Sequence, residues 1–306
     1  MLNRKIDNDI DAHFSNSKKA LFLTGARQVG KTYSIRKYAK RHGLNLIEFN
    51  FLLQPETMDI INGAGDVKEL LLRISAYSRV PLVRSKTLIF FDEVQECPDV
   101  MTWVKALVDE GSYIYALSGS LLGVELKDIR SVPVGYMSEM QVYPMDFEEF
   151  VSAVGVPENV LEAVKKSWSE KTPVDAYIHE KMMQLFQLYI IVGGMPAAVQ
   201  TYMDSNNIQN VVKEQRDIIN LYKKDIARYD QDVRKKLYID EVFDLIPSEL
   251  NAKNKRFILK RLNENMTFGR HENDFIWLKD ADMALPTYNV EEPVSPLKLS
   301  EQRNLF

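Results

Sequence analysis

The run Gly25-Ala26-Arg27-Gln28-Val29-Gly30-Lys31-Thr32 follows the apolar segment Ala20 to Thr24 and opens an amphipathic stretch, and no other feature of the 306-residue chain limits its fold so tightly. The spacing GxxxxGK[ST] between a strand and a helix suits one task. Its two glycines let the backbone curl so that successive N–H groups face a single point, and the helix adds its positive dipole end there. A cradle of this kind takes the phosphates of a nucleotide. Lys31 then reaches the β and γ oxygens, and Thr32 offers its hydroxyl to Mg²⁺, a hard cation that takes oxygen ligands. The whole expected cradle is Gly25, Ala26, Arg27, Gln28, Val29, Gly30, Lys31, Thr32 and Tyr33. The plainer alternative, a glycine-containing turn before a helix, does not account for the strand and helix flanks.

Around this motif, short β-rich apolar runs alternate with longer amphipathic stretches from Lys19 to about Tyr143, a pattern that predicts a parallel sheet covered by helices. Five strands are expected at Ala20 to Thr24, Leu44 to Phe49, Thr87 to Phe91, Tyr113 to Leu117 and Met140 to Tyr143, each apolar enough to be buried on both faces. Helices are expected at Phe147 to Val154, Pro157 to Ser169, Val174 to Ile191 and Ile208 to Tyr229. Beyond Arg234 the pattern predicts two short helices, Leu237 to Leu245 and Lys253 to Asn263, and a small β-wing around Phe275 to Leu278. The fold class is therefore α/β: a P-loop NTPase with a five-stranded parallel sheet, then a helical lid and a small winged-helix-like region. The expected divisions are residues 1–145 for the ATPase core, 146–232 for the lid, 233–292 for the winged-helix-like region and 293–306 for the start of a further domain.

Leu88-Ile89-Phe90-Phe91-Asp92-Glu93 sets two carboxylates at the carboxyl end of an apolar strand. In a sheet of this topology Asp92 is placed to hold a magnesium-bound water and Glu93 to polarise the attacking water. Successive strand residues project to opposite faces, so neighbouring carboxylates can serve metal and nucleophile separately. A further strand, Tyr113 to Leu117, ends in Ser118-Gly119-Ser120. Lying between the P-loop strand and the acidic strand, it presents Ser118 to the γ-phosphate; alternatively the serines only close a turn. The expected catalytic set is Lys31, Glu93 and Ser118, the metal ligands are Thr32 and Asp92, and the cofactors are ATP and Mg²⁺.

These motifs, with Tyr143-Pro-Met-Asp-Phe-Glu-Glu-Phe150, Gly193-Gly-Met-Pro196, Lys224-Asp-Ile226 and Ile246-Pro-Ser-Glu-Leu250, resemble the prokaryotic AAA+-like ATPases that carry a carboxy-terminal domain of unknown function 4143. The resemblance implies ATP hydrolysis. Its members commonly have a Gly-Arg pair, a source of a cationic finger, where this chain reads Gly135-Tyr136; Arg130, Arg216 and Arg228 are the alternatives, each otherwise a solvated surface arginine. Without a finger, P-loop hydrolysis is slower by about 10³ to 10⁵, so slow basal turnover is expected. The resemblance also implies a following nuclease-like region. Leu297, Leu299, Leu305 and Phe306, apolar and near the last residue, read as the start of such a domain cut short.

The net charge of −4, with 27% charged residues of both signs, argues against a generic polyanion binder, yet Lys253, Lys255, Arg256, Lys260 and Arg261 concentrate cations on one short segment. Second in a helix pair before a wing, that segment suits a DNA reader; as a solvated charged face it needs no ligand. A DNA-binding module with a regulatory nucleotide site and little turnover is thus the rival reading, and a homo-oligomer is a further expected partnership. Glu93 favours the hydrolase, because a structural nucleotide site or a kinase has no use for it. The lone Cys97 and the lack of a leader-like segment predict a cytoplasmic protein. The apolar stretch Leu185 to Val199 is too short and too interrupted for a membrane span, and four scattered histidines offer no zinc spacing.

Overall fold

The computed structural model describes residues 2–120, 135–229, 233–251, 275–290 and 301–302. Among the described residues the chain forms two compact units, one running to residue 218 and the second from 219 onward.

The first unit begins with α1 (Lys5–Asn16), which the sequence reading passed over because its acidic residues mask a narrow apolar face; Ile10 and His13 are buried on it. Five strands follow with helices between them: β1 (Ala20–Thr24), α2 (Lys31–Arg41), β2 (Asn45–Asn50), α3 (Met58–Asn62), α4 (Val67–Tyr77), β3 (Thr87–Asp92), α5 (Val100–Glu110), β4 (Ile114–Ser118) and β5 (Met137–Gln141). All pairings are parallel and the strand order is β2-β3-β4-β1-β5. The acidic strand therefore stands one strand away from the P-loop strand, with β4 between them.

Burial on both faces holds for the interior strands only. Every residue of β1 and β3 is buried, whereas β2 alternates and β5 is largely half-exposed. As an edge strand β5 tolerates Ser138, Glu139 and Gln141, which is why its apolar signal appears three residues late. Val142, buried just beyond the strand, carries that signal; its N–H donates to the Thr24 carbonyl at 2.8 Å and anchors the strand exit beside the P-loop.

Helices α6 (Phe147–Ala153), α7 (Glu158–Glu170), α8 (Ala176–Val192) and α9 (Pro196–Ser205) complete this unit together with the start of α10 (Ile208–Tyr229). Asp146 caps α6 in a reciprocal capping box with Glu149. Met145, Phe150, Val151, Val192, Ala198, Val199 and Val211 form its core with Leu2. Gly193, Gly194 and Pro196, expected to interrupt the apolar stretch Leu185 to Val199, lie at the junction of α8 and α9, and Pro196 does not break a helix. Pro196 instead opens α9, at the position where a missing N–H costs nothing. Helices α8 and α9 meet at 118°, and among the described residues no single helix is long and apolar enough to cross a membrane.

The second unit contains the end of α10 and one continuous helix, α11 (Val233–Asn251), which absorbs the expected Leu237 to Leu245 helix and the Ile246 to Leu250 motif, with Pro247 inside it. Residues 275–280 are helical, so the expected β-wing does not form at Phe275 to Leu278. Trp277, Leu278 and Ala281 sit in one buried cluster with Ile226, Ile239 and Val242, a packing that follows helical rather than strand periodicity. A two-residue antiparallel ladder joins β6 (Asn289–Val290) to β7 (Glu301–Gln302). The expected helix Lys253 to Asn263 lies outside the described residues, as do Leu297, Leu299, Leu305 and Phe306.

Candidate functional site

The loop from Gly25 to Gly30 links β1 to α2 through backbone conformations that side chains resist. Gly25 has φ +130°, and a Cβ there would stand 2.2 Å from the Val142 carbonyl oxygen. Gly30 has φ +102° and caps α2. Gln28 takes a left-handed conformation, φ 64°, without being glycine. Gly25→Ala is accordingly expected to cost about 2 to 4 kcal/mol through overpacking and backbone strain. For a domain of this size that lowers Tm by roughly 4 to 16 °C. A thermal melt checks it, and a midpoint matching the wild type would contradict the close approach.

Lys31 is buried at the start of α2, and its ammonium curls back over the loop to donate to the Gly25 carbonyl at 2.7 Å and the Ala26 carbonyl at 2.8 Å. Next to it, the Thr32 hydroxyl donates to Asp92 Oδ2 at 3.0 Å. Tyr33, also assigned to the cradle, is 40% exposed.

Asp92 ends β3 and is buried. Besides Thr32 it accepts from Asn50 Nδ2 at 2.9 Å and from the Ser118 hydroxyl. Burial pushes its carboxyl above the ordinary carboxylate range, and the neighbouring Glu93 charge pushes the same way, while the Ser118 and Thr32 hydroxyls oppose the shift. Ser118 thus sits against Asp92. The hydroxyl beside Glu93 is that of Ser120, two residues further on.

Glu93 stands outside the strand, in a left-handed conformation with φ 58° and ψ 52°. The turn, rather than the strand pleat expected from the sequence, separates the two carboxylates. Holding a non-glycine residue there costs roughly 1 to 3 kcal/mol. Its Oε2 accepts from Gln95 Nε2 at 2.6 Å and from the Ser120 hydroxyl at 3.1 Å, and Arg27 Nε donates to the same hydroxyl at 3.4 Å. Among the described arginines, Arg27 therefore joins the Glu93 cluster. Arg216 is exposed on α10, while Arg130 and the side chain of Arg228 lie outside the described residues.

Asn50, Gln95 and Arg4 belong to this region and carried no role in the sequence reading. Asn50 is discernible as a polar residue closing a strand at the same sheet end, and Gln95 stands two residues beyond Glu93. Arg4, twenty residues and more before the loop, gave no signal. The cations Lys253, Lys255, Arg256, Lys260 and Arg261 lie outside the described residues.

The architecture is that of a P-loop NTPase. Residues 17–151 match the family model of an AAA domain. Residues 183–304 match a separate domain of unknown function (DUF8612), not the domain 4143 that the motifs suggested. No curated protein matches the chain. Among solved structures, a Walker-type ATPase of Pyrococcus abyssi is similar at 15% identity and a TM-score of 0.53, covering 96% of this chain and 92% of its own. C. elegans PCH-2 is similar at 13% identity and a TM-score of 0.40, with 70% of each chain covered. Drosophila ORC bound to DNA follows at 12% identity and a TM-score of 0.40, covering 96% of this chain and 88% of that one. These likenesses concern the fold alone.

Proposed function

We propose that the chain binds ATP with Mg²⁺ at Gly25 to Tyr33 and hydrolyses it slowly, serving as a nucleotide switch. The observation that carries this reading is the convergence of Lys31, the Thr32–Asp92 contact and Glu93 at the carboxyl ends of β1 and β3. The donor set suits the metal. One hydroxyl and one carboxylate, all oxygen, are what a Mg²⁺ that shares its remaining positions with water and phosphate requires, and among the described residues no cluster of His, Cys, Asp and Glu offers a self-sufficient cage. When bound, Mg²⁺ neutralises charge on the β and γ oxygens.

The protein's own groups then divide the work. Backbone amides of the loop and Lys31 hold the phosphates, Thr32 and Asp92 hold the metal, and Glu93 takes the role of orienting and polarising water. Ser118 keeps Asp92 aimed, and Gln95 and Ser120 fix the rotamer of Glu93. Among the described arginines, Arg27 shares that cluster through Ser120. On this reading residues 1–145 are the catalytic core and 146–232 the nucleotide-sensing lid.

Equilibrium binding of ATP, followed by steady-state phosphate release with and without duplex DNA, tests the proposal. Micromolar-range binding that weakens when Mg²⁺ is chelated, with slow turnover, is expected. Metal-independent affinity would count against the roles of Thr32 and Asp92, and DNA-dependent binding without turnover would favour the DNA-binding module instead.

A further inference from the structure

Arg4 lies just before α1, and three separate parts of the first unit meet on its side chain, which is 5% exposed. Nη1 donates to the Val29 carbonyl in the phosphate loop at 2.8 Å, Nη2 to the Tyr143 carbonyl at 2.7 Å, and Nε to Glu149 Oε1 at 3.1 Å. Glu149 is itself fixed at the start of α6. Its Oε1 also accepts the Lys5 N–H at 2.6 Å, its Oε2 accepts the Asp146 N–H at 3.1 Å, and its own N–H donates to Asp146 Oδ1 at 2.9 Å. From the other side Lys37 of α2 holds the segment, donating to the Leu2 carbonyl at 3.0 Å and the Asp7 carboxylate at 2.7 Å. A rigid planar fork can serve acceptors in three directions at once, which an ammonium on a flexible stem does poorly.

The Val29 carbonyl and the Gly30 N–H belong to one planar peptide, so fixing the oxygen aims the N–H to the opposite side. Gly30, at φ +102°, offers little resistance of its own to rotation of that plane. An anchor from outside the loop is therefore needed to hold it.

We propose that Arg4 is a positioning residue that locks the Val29–Gly30 peptide of the phosphate loop to the start of α6, so that displacement of α6 is transmitted to the amide that faces the cradle. Its functional meaning rests on reading Gly25 to Tyr33 as the ATP site; its mechanical content does not.

Backbone ¹⁵N relaxation of the nucleotide-free protein separates the two. In the wild type the Gly30 amide should be as ordered as β1, with an order parameter of about 0.85, and it should fall below about 0.6 in Arg4→Gln. The same fall is expected in Glu149→Gln, which does not touch the loop, while β1 stays rigid in both; Arg4→Lys should lie between. In parallel titrations with ATP and Mg²⁺, the Arg4→Gln and Glu149→Gln affinities should each weaken by about tenfold. A purely structural role would loosen β1 together with the loop. Should Arg4→Gln fail to fold, Glu149→Gln decides alone. A Gly30 amide that keeps wild-type order in the folded variants overturns the positioning role, whether or not ATP binds. A wild type that does not bind ATP overturns the ATP reading and leaves the relaxation result to decide Arg4.

Discussion

Lys31→Ala should reduce ATP affinity on the order of 10²-fold, the largest binding effect expected of any single substitution in the loop. The ammonium is buried, donates to two loop carbonyls, and stands at the positive end of α2. Charge-assisted hydrogen bonds contribute about 1.5 to 3 kcal/mol each, and each 1.4 kcal/mol is roughly a tenfold change in affinity. Two such bonds to phosphate oxygens account for the loss. Calorimetry with ATP and Mg²⁺ measures it directly. The folded state must be shown to survive, because removal of the side chain also frees the Gly25 and Ala26 carbonyls from an internal partner. Unchanged affinity in a folded Lys31→Ala protein would remove the phosphate-cradle assignment, since no other lysine occupies the loop.

The sequence revealed the parts whose chemistry demands a local pattern. The P-loop is such a part, because strand, glycine turn and helix are contiguous, and so is the apolar run that ends in Asp92 and Glu93. Interior strands were legible for the same reason: β1 and β3 are buried on both faces and so read as unbroken apolar runs. The edge strand β5 was displaced by three residues because only one neighbour constrains it, and the signal came from Val142 instead. What stayed hidden was the support assembled from distant segments. Gly194 is needed because a Cβ there would lie 2.1 Å from the Met145 carbonyl oxygen, and the Met145 N–H donates to the Gly194 carbonyl at 2.7 Å. The Tyr143 to Phe150 and Gly193 to Pro196 motifs, without a role in the sequence reading, are thus two sides of one close backbone contact. The sequence singles out Ser118 for the γ-phosphate and gives Ser120 no task; the turn after β3, which carries Glu93 away from Asp92, decides which hydroxyl meets which carboxylate.

That separation of Asp92 from Glu93 leads to the prediction with the largest expected effect on rate. Glu93 reaches its place through a left-handed backbone and is held by Gln95 and Ser120 rather than by the groups around Thr32. Substitution there should leave the metal and phosphate contacts standing. Glu93→Gln is expected to keep ATP and Mg²⁺ affinity within a few-fold while lowering turnover by on the order of 10²-fold or more, because the amide preserves shape but cannot polarise water. Asp92→Asn should behave differently, weakening Mg²⁺-dependent binding and turnover together. It should also melt higher than the wild type without nucleotide. A buried carboxyl held above its ordinary range works against folding once pH exceeds its unfolded value, so at neutral pH a neutral isostere favours the folded protein. The amide can still accept from Thr32 and Asn50 with its oxygen and meet Ser118 with its nitrogen. Binding, steady-state hydrolysis and melting measured on both variants distinguish these roles. Wild-type turnover in Glu93→Gln would leave the left-handed turn without a catalytic purpose and make a nucleotide-regulated binding module the better account of the chain.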